Sequence, residues 1–367
     1  MQTHSPNNER IKRQYLIFLK EAKRHSEATL DAVAKAMARF EADTKLRDFR
    51  TFHFEQAIAF KKRLAEQNSK TTGEKLSKAT LHATLAHLKR FFQWLSGQPG
   101  YKSRLRYSDA DYFNLSDKDT RVATARREKT FPTIEQVKHV IAKMPGGSDI
   151  ERRNRALIAF TLLTGARDSA IASVRLKHVD LAVGSVYQDA REVNTKYSKT
   201  FTTFFFPVGD EIHQIVSEWV IYLREVKLWG NDDPLFPSTQ IIVGSDRHFE
   251  VAGLKREHWS SAAPIRTIFR EAFQAAGLPY FNPHSLRDTL AHFGEALCLT
   301  PEQFKALSQN LGHEGVLTTF YSYGEVGSRR QGEIIHSLAE SGPSEHSDVT
   351  KLLKTLMREL RSSGPVR

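Results

Sequence analysis

The chain has one cysteine in 367 residues, Cys298, which excludes an internal disulfide framework and any multi-thiolate metal site. It has no run near the roughly 18 apolar residues that a membrane-spanning helix needs. Its opening residues, MQTHSPNNERIKRQ, lack the apolar core of a signal peptide, so the expected setting is the cytoplasm, at the nucleoid, with no membrane partner. Nucleotide-binding and hydrolase signatures are missing too: there is no GxxxxGK loop, no GxGxxG after a strand, no HExxH and no GxSxG elbow. His284, His292, His313 and Cys298 have no recognisable zinc-ligand spacing, and no compact acidic cluster points to a two-metal nuclease.

Acidic residues are also too few to balance the basic ones, with 42 Asp and Glu against 54 Lys and Arg, a formal net charge of +12. Such a surplus neutralises phosphates and releases counterions, so a polyanionic partner, nucleic acid, is the expectation from charge. A composition of 40% hydrophobic and 26% charged residues describes a globular chain able to bury real cores.

Residues 1–97 read as a compact helical domain. Its clearest helix is SKATLHATLAHLKRFFQWL, where Ser77 can cap the start and Leu81, Leu85, Leu88, Phe92 and Leu95 recur at helical spacing. Amphipathic segments near 9–24, 28–43 and 53–67 supply three further helices. Between 98 and 130 the periodicity collapses into turn formers and charge, ending in Arg121, Arg126, Arg127 and Lys129, which reads as a basic interdomain linker. A second domain, 131–340, opens with a T-x-x-Q capping box at Thr133 and Gln136. In it, REVNTKYSKTFTTFFFPV favours a β-hairpin, and helices dominate from Ser260 to about Leu338. The fold class is therefore mainly α with a small β-sheet (α+β). The tail, 341–367, holds one short amphipathic helix, Val349 to Leu360.

Three short stretches carry chemistry-bearing residues. In TGAR, Arg167 follows a helix stop at Gly165 and projects from a loop. In NPHSLRDTL, Pro283 begins a helix and places His284 and Arg287 three residues apart near its N-terminus, where backbone amides, a planar fork and an imidazole would cradle an anion. In LGHEGVLTTFYSYG, His313 occupies a turn after a helix that opens with the Thr300–Gln303 capping box. A short helix, 315–323, then ends in two tyrosines. Each stretch alone reads as well as an ordinary surface or capping region.

Together, in this order and spacing, they resemble the tyrosine recombinase, or phage integrase, family over roughly residues 9–340. TGAR resembles its first arginine box, HSLR its H-x-x-R box and LGHEGVLTTFYSYG its final LGH-to-tyrosine box. The resemblance implies a site-specific recombinase that cleaves and rejoins double-stranded DNA through a 3′-phosphotyrosyl intermediate, for integration or excision of a mobile element. It implies a homotetramer on two DNA sites, accessory directionality proteins and no cofactor. By that resemblance Arg167 and Arg287 hold the scissile phosphate, and His284 and His313 hydrogen-bond or move protons there. The hairpin lysine that protonates the leaving oxygen is Lys196 as first choice, with Lys199 open. Counted from His313, family nucleophiles fall nine or ten residues on, which implies Tyr323; Tyr321 is eighth and points roughly 200° away around an ideal helix. The chain departs from the family at Ala170, where an acidic residue is common, leaving Asp168 as a substitute for positioning Arg167. Two rival readings use the same residues: a type IB topoisomerase-like or hairpin-resolving enzyme, and a non-catalytic DNA-binding protein of this fold.

Overall fold

The structure is a computed structural model that describes residues 5–69, 73–125, 130–243 and 247–313. Tyr321, Tyr323, the 315–323 and 349–360 helices, and the basic residues Arg126, Arg127 and Lys129 lie outside the described residues. The chain forms two compact units, Met1–Arg127 and Glu128–Arg367.

In the first unit the helices are α1 (Pro6–Ile17), α2 (Glu27–Asp43), α3 (Phe54–Glu66), α4 (Lys78–Leu95) and the short α5 (Asp117–Thr124). Ser77 caps α4 by accepting the amide of Thr80 at 3.2 Å, and all five apolar positions of its stripe are buried. The core they enter mixes aliphatic side chains with a cluster of aromatic rings. Phe40 meets Phe60 and Phe92 edge-on with ring centroids 5.2 Å from each, a geometry that suits the positive rim and negative face of the rings. The supposed linker does not begin at residue 98. Tyr101, Leu105, Ala110 and Phe113 are buried in this same core. Phe113 stacks on Phe52 at 5.6 Å. Widely spaced apolar residues in turns and a 3₁₀ segment carry no helical period, yet burying their side chains still fastens the segment to the helices.

The second unit opens with α6 (Ile134–Lys143), whose Thr133–Gln136 capping box forms as expected, and continues through α7 (Asp149–Thr164) and the one-turn α8 (Asp168–Ile171). Helix α7 is buried nearly all round from Ala156 to Thr164, the mark of a central core helix. The strands β1 (Val179–Asp180), β2 (Ser185–Gln188) and β3 (Phe201–Phe204) form an antiparallel sheet in the order β1-β2-β3, with Ser185 opposite Phe204 and Gln188 opposite Phe201. Twelve residues, 189–200, connect β2 to β3.

Helix α9 (Asp210–Ile221) packs on α7. An unanticipated two-stranded ribbon follows, β4 (Ser238–Val243) and β5 (Phe249–Lys255), antiparallel with a bulge between Gln240 and Ile241. Buried Arg153 of α7 fastens its base, donating to the Pro237 carbonyl at 2.9 Å and the Thr239 hydroxyl at 3.0 Å, and burial pulls its pKa down to about 10. Helices α10 (Ala263–Ala275), α11 (Ser285–Leu297) and α12 (Pro301–Asn310) complete the described unit. No helix among the described residues is long and apolar enough to cross a membrane.

Candidate active site

The three motif stretches meet at the ends of α7, α11 and α12. Helix α7 stops at Gly165, whose left-handed backbone (φ 61°) turns the chain so that Arg167 becomes the N-cap of α8. A side chain at Gly165 would press on Leu290 at 3.0 Å and Leu311 at 3.3 Å, so the turn needs glycine for space as well as for φ. Arg167 is half-buried. Asp168 beside it accepts from Arg266 Nε at 2.8 Å and from the Ser169 amide at 2.9 Å, which ties the turn to α10. Ala170, where an acid might have stood, is buried.

Helix α11 begins at Ser285, two residues later than Pro283 alone would place it, and Asn282 Oδ1 accepts the Ser285 amide at 3.2 Å. His284 is therefore its exposed N-cap, and Arg287 lies in its first turn with 2% exposure. Arg287 donates through Nη1 to the Gly165 carbonyl at 2.5 Å and through Nη2 to the Leu311 carbonyl. One guanidinium thus joins the main chain of all three motif stretches. Its Nη2 is also 3.4 Å from His313 Nε2. If the guanidinium donates there, the neutral ring carries its proton on Nδ1, because a guanidinium has no acceptor.

The turn that carries His313 depends on a second left-handed glycine. Gly312 has φ 70°, and a Cβ there would collide with the Phe201 ring at 2.7 Å, so α12 meets the start of β3 at closest approach. Asn310 strengthens this meeting by accepting the Phe204 amide at 2.7 Å and donating to the Phe204 carbonyl at 2.9 Å. Between β3 and the end of α12 lies a cavity of about 590 Å³, with Lys199, Thr200, Asn310 and His313 on its walls. Burial, then the positive charges of Arg287, Arg167 and Lys199, and His284 after them, hold the pKa of His313 down to about 4. The ring is neutral near pH 7.

That field also separates the two lysines. Lys199 is half-buried and acts on His313, whereas Lys196 is exposed in a 3₁₀ turn with its ammonium 4.8 Å from the ring centre of Tyr197. Neither lysine lies on a strand: β2 ends at Gln188, β3 starts at Phe201, and both lysines stand in the connection 189–200. Arg167, His284, Arg287, His313 and Lys199 are brought together; Tyr323 lies outside the described residues. Sequence reasoning missed Asn310, whose only signal is its polarity beside LGH, and Arg266, which lies far from every motif and has none.

Residues 131–328 match the model of the phage integrase family. The chain belongs to that family. It is a tyrosine recombinase, similar to tyrosine recombinase XerC of Lactobacillus delbrueckii subsp. bulgaricus, with 25% identity over 251 residues, 68% of this chain and 72% of that protein. The XerC of Halalkalibacterium halodurans is 24% identical over 317 residues, 83% of this chain and 89% of that one. Among solved structures, a lambda integrase dimer bound to a COC′ core site shares the fold with TM-score 0.58 and 14% identity, covering 88% of this chain and 96% of that chain. The Tn1549 transposon integrase with transposon right end DNA gives TM-score 0.52 and 14% identity, covering 90% and 99%.

Proposed function

We propose that this recombinase cleaves and rejoins double-stranded DNA through a 3′-phosphotyrosyl intermediate, in the integration or excision of a mobile element. The observation that carries the reading is Arg287 hydrogen-bonding the main chain at Gly165 and Leu311, which ties the three motif stretches together, with Arg167 and His284 near enough for their charge to act on His313. Attack by the Tyr323 oxygen on the scissile phosphorus loads negative charge onto the non-bridging oxygens. Arg167 and Arg287 are always protonated and offer planar forks for those oxygens. His313, neutral at working pH, and His284, at the helix N-terminus, hydrogen-bond the phosphate, while the phenol's proton passes to water as the arginine field stabilises the phenolate. Lys199 replaces Lys196 as the acid: its proton goes to the 5′ oxygen as the P–O5′ bond breaks. Attack by a 5′ hydroxyl on the phosphotyrosine reverses the chemistry and joins strands, so the bond energy is retained.

DNA is the partner for which the net charge of +12 and the DNA-bound relatives speak, and four protomers on two duplexes is the assembly we infer, with accessory proteins setting direction. The test uses a library of nicked duplexes incubated with the full chain in excess EDTA. A detergent-resistant protein–DNA adduct is expected, and sequencing the trapped DNA should return one motif. No adduct, or one that forms only with a divalent ion, would contradict the mechanism. Joining of strands from two different duplexes separates recombination from topoisomerase-like relaxation.

A further inference from the structure

Lys199 stands in a twelve-residue connection between two four-residue strands, too long for the strand ends alone to set its position. Yet the connection is tied to the arginine turn. Ser169 Oγ donates to the Asn194 carbonyl at 3.0 Å, and the Asn194 amide donates to Ser173 Oγ at 2.8 Å. Ser169 lies on α8 and Ser173 in the turn just after it, and together they grip both polar groups of a single loop residue. Ser173 gives its own proton back to the Ser169 carbonyl at 3.1 Å, or that of Ala170 at 3.2 Å, which leaves its lone pairs for the Asn194 amide. From Asn194 the path continues to the lysine. Thr195 Oγ1 donates to the Lys199 carbonyl at 2.7 Å, closing a turn whose inner residues Tyr197 and Ser198 have φ of 60° and 51°. Val193, buried beside the clasp, keeps the loop from lifting away.

We propose that Ser169 and Ser173 are positioning residues that clasp Asn194 and thereby place Lys199 against the arginine turn for proton delivery to the leaving oxygen. The proposal rests on the reading of Lys199 as the acid. In this role the serines act through the loop, to which their hydroxyls are bonded. Losing both hydroxyls leaves the Asn194 amide and carbonyl to water and frees the loop, and an effect on the order of tenfold in cleavage rate is expected from two hydrogen bonds of ordinary net strength.

The experiment measures single-turnover cleavage by the full chain on a duplex carrying the recovered target site, made once with the natural phosphodiester and once with sulfur at the bridging 5′ position. A thiolate leaves without being protonated, so the sulfur duplex no longer needs the acid while still needing the arginines. The Ser169→Ala/Ser173→Ala double variant should be slowed about tenfold or more on the oxygen duplex and match the unaltered protein on the sulfur duplex. Ser169→Thr keeps the hydroxyl and should restore most of the rate. Equal slowing on both duplexes, or no slowing on either, would overturn the clasp. Lys199→Ala separates the two levels: if sulfur rescues it but not the serine variant, the clasp alone fails, and if sulfur does not rescue Lys199→Ala, the acid assignment fails and the clasp with it.

Discussion

The two units bury different things. Among the described residues, the helical unit hides aromatic rings and only three polar side chains, Asn8, Glu41 and Thr84. Its buried Asn8 is paired on both sides of its amide, donating to the Arg47 carbonyl at 2.9 Å and accepting the Phe49 amide at 3.0 Å, which pins the α2–α3 connection. The larger unit has a mostly aliphatic core but buries many more polar side chains, among them Arg153, Thr161, Thr164, Ser173, Gln188, Thr203 and Arg287. Buried polar groups are costly unless paired, and the larger unit accepts that cost at Arg287, whose guanidinium binds the main chain at Gly165 and Leu311. An apolar core tolerates loss of shape within limits; a buried polar group fails when its partner is lost.

The sharpest way to break this comparison is at Arg287. Arg287→Ala should lower the cleavage rate on the order of 10²–10³-fold or more, and Arg287→Lys should also fail to restore it, since a point charge cannot reach both carbonyls and a phosphate as a fork does. Cleavage near the normal rate in either variant would mean the buried guanidinium is only scaffolding. On the other side of the comparison, Phe40→Ala removes a ring that contacts five others, and should destabilise the helical unit by about 3–5 kcal/mol in urea titration. A change below about 1 kcal/mol would show that the aromatic core can collapse around the gap.

Smaller effects come from titration. His313, held near pKa 4 in the folded chain against 6.5 ordinarily, binds fewer protons folded than unfolded between those values. Its contribution to stability is therefore complete above pH 6.5 and is lost as pH falls toward 4. His313→Gln should flatten that part of a stability–pH curve, and an unchanged slope would mean the ring titrates normally. Glu295 runs the other way. Burial raises its carboxyl to about 7, so ionisation costs stability increasingly as pH rises from 4.5 through 7. Glu295→Gln should gain a little stability at pH 8 and none at pH 4, read from melting temperatures. A gain equal at both pH values would remove ionisation from the explanation.

Much of this was legible in local sequence, because capping is local chemistry: Ser77, Thr133 and Thr300 announce their helices within three residues, and Gly165 and Gly312 mark turns that need positive φ. The arginines and histidines were legible as ordered motifs. What was hidden depends on contacts distant in sequence. Tyr101 to Phe113 looks like a linker because its burial comes from α3 and α4, not from its own period. The choice between Lys196 and Lys199 turns on a loop path set by Ser169, Ser173 and Thr195. The β4–β5 ribbon had a readable cue, the β-branched run TQIIV and, a few residues on, FEV, but its exposed Ile241, Phe249 and Val251 break the alternation of a half-buried strand.

The most direct test of the phosphotyrosyl account is to map, by peptide mass analysis, the residue joined to DNA after incubation with a nicked target duplex. Tyr323 should carry the DNA. Tyr323→Phe should abolish the adduct with DNA binding nearly intact, and Tyr321→Phe should retain it. An adduct that maps to Tyr321, or that survives in Tyr323→Phe, would contradict the assignment.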